Sequence, residues 1–257
     1  MQQIALEACI QIMRRFMTTA VLIRLLAAWT GLATLAVLLV AVLFMGPNSR
    51  AVIFMATGLV LLWIVLAGSL MRRMRDRASG IVRRIPLPWA LKFVLFCTLL
   101  ALTEEAVTVS MTNLAPLFGV PPGAAYITAS ANYLDVVAFH SVVVFVPMFI
   151  GWAWMLRRWD FRPDIVFLLF GLTGFLIEAQ FAGTLNPLQA PFWIFVYGLM
   201  VYLPAYSIGP REGTQPPVWW HYGLAVVLPV IFALPVAGAV GILHHTRIHF
   251  PPIRPNS

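Results

Sequence analysis

The sequence predicts an all-α integral membrane protein built as a seven-transmembrane helical bundle, and three observations carry that class. Of 257 residues, 61% are hydrophobic and only 10% are charged, whereas soluble domains run at roughly 45–50% apolar and about a quarter charged. The mean hydropathy is +0.90, which excludes an ordinary water-soluble globular protein. Seven apolar runs lie at or near the ~20 residues a spanning helix needs, and their short connections make residues 1–257 a single transmembrane domain. None alternates as barrel strands do, and in lipid only helices and closed barrels satisfy every backbone group.

Residues 1–16 carry Ile4, Ala8 and Ile12 at helical spacing and read either as an interfacial helix or as an extension of the first span. The first run, Leu25–Met45, follows Arg14, Arg15 and Arg24, but no A-x-A-like site follows Met45, so it reads as an uncleaved anchor. The second, Ala51–Met71, ends at an arginine-rich stretch, and the third, Pro88–Thr112, begins beyond it. An uncharged loop, residues 115–133, carries Tyr126, Thr128, Ser130, Asn132 and Tyr133. It reads either as an ordinary interfacial loop or as an outer lid, which lipid permits only where protein or cavity water covers its backbone. The fourth and fifth runs are Leu134–Leu156 and Ile165–Ala182, joined through Arg157, Arg158 and Arg162. The uncharged loop Gly183–Ala190 leads to the sixth, Phe192–Ile208, and the seventh is Tyr222–Leu243. Trp219, Trp220 and His221 open that last run as interface anchors. Residues 244–257 form an outer C-terminal tail in which His245 and His249 stand one turn apart, either as two metal ligands or as a wet interfacial end stopped by Pro251-Pro252.

With the N-terminus inside, 14 Lys and Arg fall on the inner side, and only Arg50, Arg247 and Arg254 fall outside. That asymmetry predicts N-terminus in, C-terminus out, with the cell inner membrane as the expected location. It also accounts for the net charge of +8 without nucleic acid as a partner. The expected partners are the bilayer and other membrane subunits. Paired features such as Leu102-Thr103 with Leu172-Thr173, Asn113 with Asn186, and Val144–Pro147 with Val201–Pro204 suggest a parallel hairpin repeat of helices 3–4 and 5–6, or a chance likeness of apolar helices with Pro and Gly.

Four of the nine acids, Glu104, Glu105, Asp135 and Glu178, fall inside or at the edge of spanning runs. A rise of about 1.5 Å per residue puts Glu104 roughly 24 Å and Glu178 roughly 20 Å from the inner boundary, with His140 about 9 Å below the outer one. All share one outer slab where no Lys or Arg is expected. Charge in hydrocarbon costs several kcal/mol, leaving protonation, a bound cation or a water-filled cavity as the ways to hold these groups. Glu104 and Glu178 with His140 are the candidate catalytic set, and Asp135, His140 and Glu178 are candidate ligands of a divalent metal. Glu105, His245 and His249 form a second tier. Because neighbouring helix residues diverge by about 100°, only one of Glu104 and Glu105 is expected to face the site.

The sole lysine, Lys92, lies in the third run, which excludes a retinal Schiff base in the last helix as microbial rhodopsins need. The adjacent glutamates lack the following Arg, and His140 lacks the second His with Asn, that glutamate-dependent intramembrane proteases of the CAAX-processing type require. Three function classes stand at this point. They are a membrane-embedded enzyme acting on a lipid or isoprenoid-type substrate, a non-catalytic subunit of a larger membrane complex, and a cation or proton transporter.

Overall fold

The computed structural model describes the backbone of residues 2–243 and the side chains of residues 19–243. Among them the secondary structure is helical, with no strand, and Trp159 and Gln215 form an isolated bridge between two loops. The helices are α1 (Gln2–Phe44), α2 (Pro47–Arg84), α3 (Trp89–Asn113), α4 (Tyr133–Phe139), α5 (Val142–Leu156), α6 (Pro163–Ala182), α7 (Ala190–Ser207) and α8 (Trp219–Leu243). Six are long and apolar enough to cross a membrane, and the bent pair α4–α5 would make a seventh.

The helix ends follow from local chemistry. Pro47 and Pro163 stand in first turns, where a missing N–H costs nothing. Asn132 accepts from Leu134 N at 3.0 Å to open α4, and Asn186 accepts from Leu188 N at 3.1 Å to open the short turn into α7. Gly183, at φ 66°, takes the left-handed conformation that closes α6.

Two features depart from the boundaries expected above. The arginine-rich stretch after Met71 is not a loop: α2 continues through it to Arg84, 38 residues in all, or about 57 Å against a hydrocarbon core of about 30 Å. Its lower half is amphipathic, with Met71 and Ser79 buried and Arg83 donating to Ser207 O on α7 at 3.4 Å, so packing holds it helical. A π-helical stretch, Val60–Ala67, sits in the middle of α2. The fourth run is not one straight helix either, because α4 and α5 meet at 42°. Ser141 N and Oγ both turn back to Val136 O, at 2.9 and 3.3 Å. A hydroxyl that bonds backbone in this way competes with the helical ladder.

The bundle is centred on α7, most of which is buried. It packs against α6, α3, the lower half of α2, and α1, while α8 leans on α5 and α6. The α6–α7 seam is the tightest. A Cβ on Gly171 would stand 2.5 Å from Ile194 O, on Gly174 2.2 Å from the Tyr197 ring, and on Gly198 2.7 Å from Phe167 O. Small residues allow this approach, which is how helices associate in lipid without a hydrophobic driving force between them. Trp63 on α2 donates to Val196 O at 2.9 Å from full burial. Pro229 and Pro235 interrupt the α8 ladder, and Thr173 on α6 donates to Val226 O at 3.0 Å in that region. Leu25, Leu32, Leu39 and Leu43 of α1 remain exposed along its outer side, as a lipid-facing helix requires.

At the opposite end from the acids, Arg211 ties the loops together. Its side chain is 6% exposed, donates to Leu156 O at 2.8 Å and pairs with Asp160 at 2.8 Å. Burial pulls the guanidinium below its ordinary value, and Asp160 pulls it back. His221 stacks between Trp159 and Trp220, with ring centroids 4.1 and 3.9 Å away, and its Nδ1 accepts from Val218 N at the start of α8.

Candidate functional site

The α6–α7 seam builds the first half of the site. Gly174 and Glu178 lie one turn apart on α6, so they share a face. Tyr197 of α7 lays its ring against Gly174 and donates its hydroxyl to Glu178 Oε1. Phe145 meets the Tyr197 ring edge-on, with centroids 5.6 Å apart, which fixes the phenol sideways.

The second half comes from α3 and the break in the fourth span. Glu104 and Glu105 are both buried, and both line the same cavity as Glu178. The expectation that only one would face the site is corrected. Both line it, with Thr108 the other α3 residue on the wall, so a 100° divergence does not take either residue off the cavity. Glu105 Oε2 accepts from Thr108 Oγ1 at 3.1 Å, and the hydroxyls of Ser141 and Thr128 lie beside the carboxyl. Glu104, by contrast, has no hydrogen bond or ion pair to its carboxyl among the described residues. The three carboxyls stand close enough for their charges to act on one another. His140 and Ser141 reach the cavity because the helix breaks there.

Two loops contribute to the walls. Tyr126, Ile127 and Thr128 line the cavity from the 115–132 loop, and Asn186, Leu188 and Gln189 from the loop after α6. The first is tied to α3 by two hydrogen bonds, Ile127 N to Thr112 Oγ1 at 3.3 Å and Asn113 Nδ2 to Ala131 O at 2.9 Å, and Tyr133 at the start of α4 adds a third from its hydroxyl to Leu102 O at 3.0 Å. The second accepts Trp29 Nε1 of α1 on Leu188 O at 3.0 Å.

Enclosed by these parts is a cavity of about 1180 Å³. Away from the carboxyls its walls are apolar or small: Ala33 and Val37 of α1, Ala56 and Val60 of α2, Val144 and Met148 of α5, Ala233 and Ala237 of α8. Thr30, Thr34 and Thr57 also face it, but each hydroxyl bonds back to the carbonyl four residues earlier, at 2.9, 2.7 and 2.7 Å. They therefore add little polarity. Among the described residues no Lys or Arg lines the cavity.

Of the candidate residues, Glu104, Glu105, His140 and Glu178 come together on this cavity. Asp135 does not line it, and among the described residues no three His, Cys, Asp or Glu side chains are placed to hold a metal ion. The metal set Asp135, His140 and Glu178 is thus not assembled. Asp135 sits in the first turn of α4, whereas His140 stands at its far end, where α4 meets α5 at the 42° bend. His245 and His249 lie outside the described residues.

Sequence reasoning missed Tyr197, Ser141 and the walls supplied by α1 and α2. Thr108, three residues past Glu105, was legible as a same-face neighbour. Tyr197 was one aromatic among many, and only the glycine at position 174 hinted that something large presses there. Compared with protein-family models, curated proteins and solved structures, the chain matches none.

Proposed function

We propose that the protein is a membrane-embedded enzyme whose substrate is a lipid or isoprenoid-type molecule, its chain held in the apolar cavity and its polar end at the carboxyls. Glu104 and Glu178 would serve as acid and base, with His140 as their partner in moving protons. The observation carrying this reading is the composition of one cavity: about 1180 Å³ of mostly apolar wall closed at one side by three carboxyl groups. Small-molecule sites have this character, apolar with a few convergent polar groups, and a chain-length ligand needs the upper end of their usual size range. The apolar lining beyond the cluster supports an enzyme over a cation transporter, which would need polar groups continuing along a path.

In this reading the bundle crosses the cell inner membrane seven times, α4–α5 counting as one span, with the N-terminus inside and the C-terminus outside. The basic asymmetry of the sequence supports that orientation, and it places the carboxyls toward the outer leaflet. A parallel repeat of helices 3–4 and 5–6 has the sequence pairs in its favour and the bend in only one of the two hairpins against it.

The test is turnover. Wild type, Glu104→Gln and His140→Ala are reconstituted in liposomes of total lipid extract and the lipids compared by mass spectrometry. A product formed by wild type alone supports the proposal. Identical lipid profiles in all three samples, with no lipid retained through purification, overturn it.

A further inference from the structure

We infer that the polar end of the ligand is a primary ammonium, so that the cavity takes long-chain amines in preference to the corresponding alcohols or acids. This rests on the reading above that the cavity holds a lipid-like chain, and it adds what the head must be.

Three observations converge on a cation. Among the described residues the cavity wall carries Glu104, Glu105 and Glu178 and no Lys or Arg, so His140 is the one basic side chain on it against three acids. The polar groups beside two of these acids are hydroxyls: Thr108, Ser141 and Thr128 around Glu105, of which Thr108 donates to it, and Tyr197, which donates to Glu178. Such donors suit carboxylates, which only accept. The third acid, Glu104, is 4% exposed, faces the cavity, and has no partner for its carboxyl among the described residues. A buried polar group left in that condition calls for a ligand.

The geometry also discriminates between kinds of cation. No three metal-ligating side chains are placed to hold an ion among the described residues, and a hard divalent ion wants six or more oxygen ligands. An R–NH₃⁺ group has three N–H donors and no acceptor. Glu104 offers the unpartnered carboxyl, with Glu105 and Glu178 on the same cavity wall, and the chamber lined by Ala33, Ala56 and Ala237 leaves room for the amine's chain. A phosphate or carboxylate headgroup would face three carboxyls and no Lys or Arg among the described residues.

The test uses detergent-solubilised full-length protein and four probes of equal chain length: octadecylamine, octadecanol, stearic acid and octadecyltrimethylammonium. Affinity is read from the ligand dependence of the thermal midpoint. Octadecylamine is expected to bind wild type at least about tenfold more tightly than each of the others, as charge-assisted bonds to a buried carboxylate allow. That preference is expected to vanish in Glu104→Gln. Ala237→Trp, which fills the chamber without touching the acids, is expected to abolish binding of every probe.

Octadecanol matching octadecylamine in wild type, with both blocked by Ala237→Trp, overturns the ammonium inference and leaves the lipid reading standing. The trimethylated probe matching the primary amine overturns it as well, because that probe keeps the charge and loses the three donors. Neither comparison uses Glu104→Gln, so they decide the matter even where that variant does not fold. Binding that ignores Ala237→Trp, or absence of binding by any probe, overturns both readings together.

Discussion

Tyr197 and Glu178, on neighbouring helices, are joined by a hydrogen bond that exists because residue 174 has no side chain. The Tyr197 ring occupies the space where a Cβ at position 174 would stand, 2.2 Å from its nearest ring atoms, and its hydroxyl then reaches the carboxylate one turn further along α6. Backbone approach, aromatic placement and the position of an acid are one arrangement.

Gly174→Ala is therefore expected to force α6 and α7 apart and to break that bond. Overpacking of this kind costs typically 1–3 kcal/mol, read as a fall in the thermal midpoint of the purified protein. Tyr197→Phe keeps the packing and removes only the donor. Its expected cost of about 1–3 kcal/mol comes from leaving Glu178 without its hydroxyl, and an unchanged midpoint in both variants would mean that the seam is not under this constraint.

The two adjacent glutamates are expected to behave oppositely. Glu104 has no partner to strand, so Glu104→Gln relieves roughly 2–3 kcal/mol of the cost of charge in hydrocarbon on insertion scales, and its midpoint should hold or rise. Glu105→Leu removes the acceptor beside Thr108, Ser141 and Thr128, of which the first two keep the backbone oxygens of residues 105 and 136, and should lose about 1 kcal/mol. A clear fall for Glu104→Gln would move the weight from chemistry to scaffold.

Ala33→Trp and Ala237→Trp project into empty space from opposite helices. Both are expected to leave the midpoint nearly unchanged, as substitutions away from packed features usually do, within about 0.5 kcal/mol, while reducing the lipid that accompanies the protein through purification. Mass spectrometry of the extracted lipid is the measurement, and undiminished lipid in both variants would show that the cavity is not where the chain lies.

Arg211→Ala is expected to loosen the loop end of the bundle. It removes the pair with Asp160 and the bond to Leu156 O from a side chain that is 6% exposed, a loss of about 1–3 kcal/mol. Faster amide exchange of residues 156–161 and 209–215 is the specific readout, and unchanged exchange would show that the latch carries no load.

The orientation is checked by single cysteines in a background without Cys9 and Cys97. Gly80→Cys, where a Cβ meets nothing within 4 Å, should react only after the inner face is opened. Thr184→Cys, in the exposed loop after α6, should react from outside. The reverse pattern would invert the topology and place the carboxyls toward the inner leaflet.

Much of this architecture was legible from composition because lipid leaves so few options: an apolar run of spanning length must be a helix. Position along the helix axis was legible for the same reason: helical rise alone puts Glu104, Glu105, His140 and Glu178 in one slab, and all four line one cavity. Lateral position was not. Nothing in an apolar helix says which neighbour it will meet, so the cavity walls from Ala33 and Ala56, and the reach of Tyr197 to Glu178, appear only once the helices are packed. Asp135 shares the slab by depth yet misses the cavity, since it lies on the far side of a bend that a single hydroxyl, Ser141, helps to make. The continuation of α2 through Arg72–Arg84 was obscured differently: a charge cluster marks a membrane boundary but does not end a helix.

The glycines of the α6–α7 seam and the alanines of the chamber divide the freedom to change between them. At 171, 174 and 198 even the smallest side chain collides with backbone or with a ring, so a lineage descending from this chain could not drift there without rebuilding the contact. At 33, 56 and 237 a larger residue simply shortens the room. Inheritance could thus retune how long a ligand the protein accepts, one residue at a time, while the carboxylate and its tyrosine stay in register.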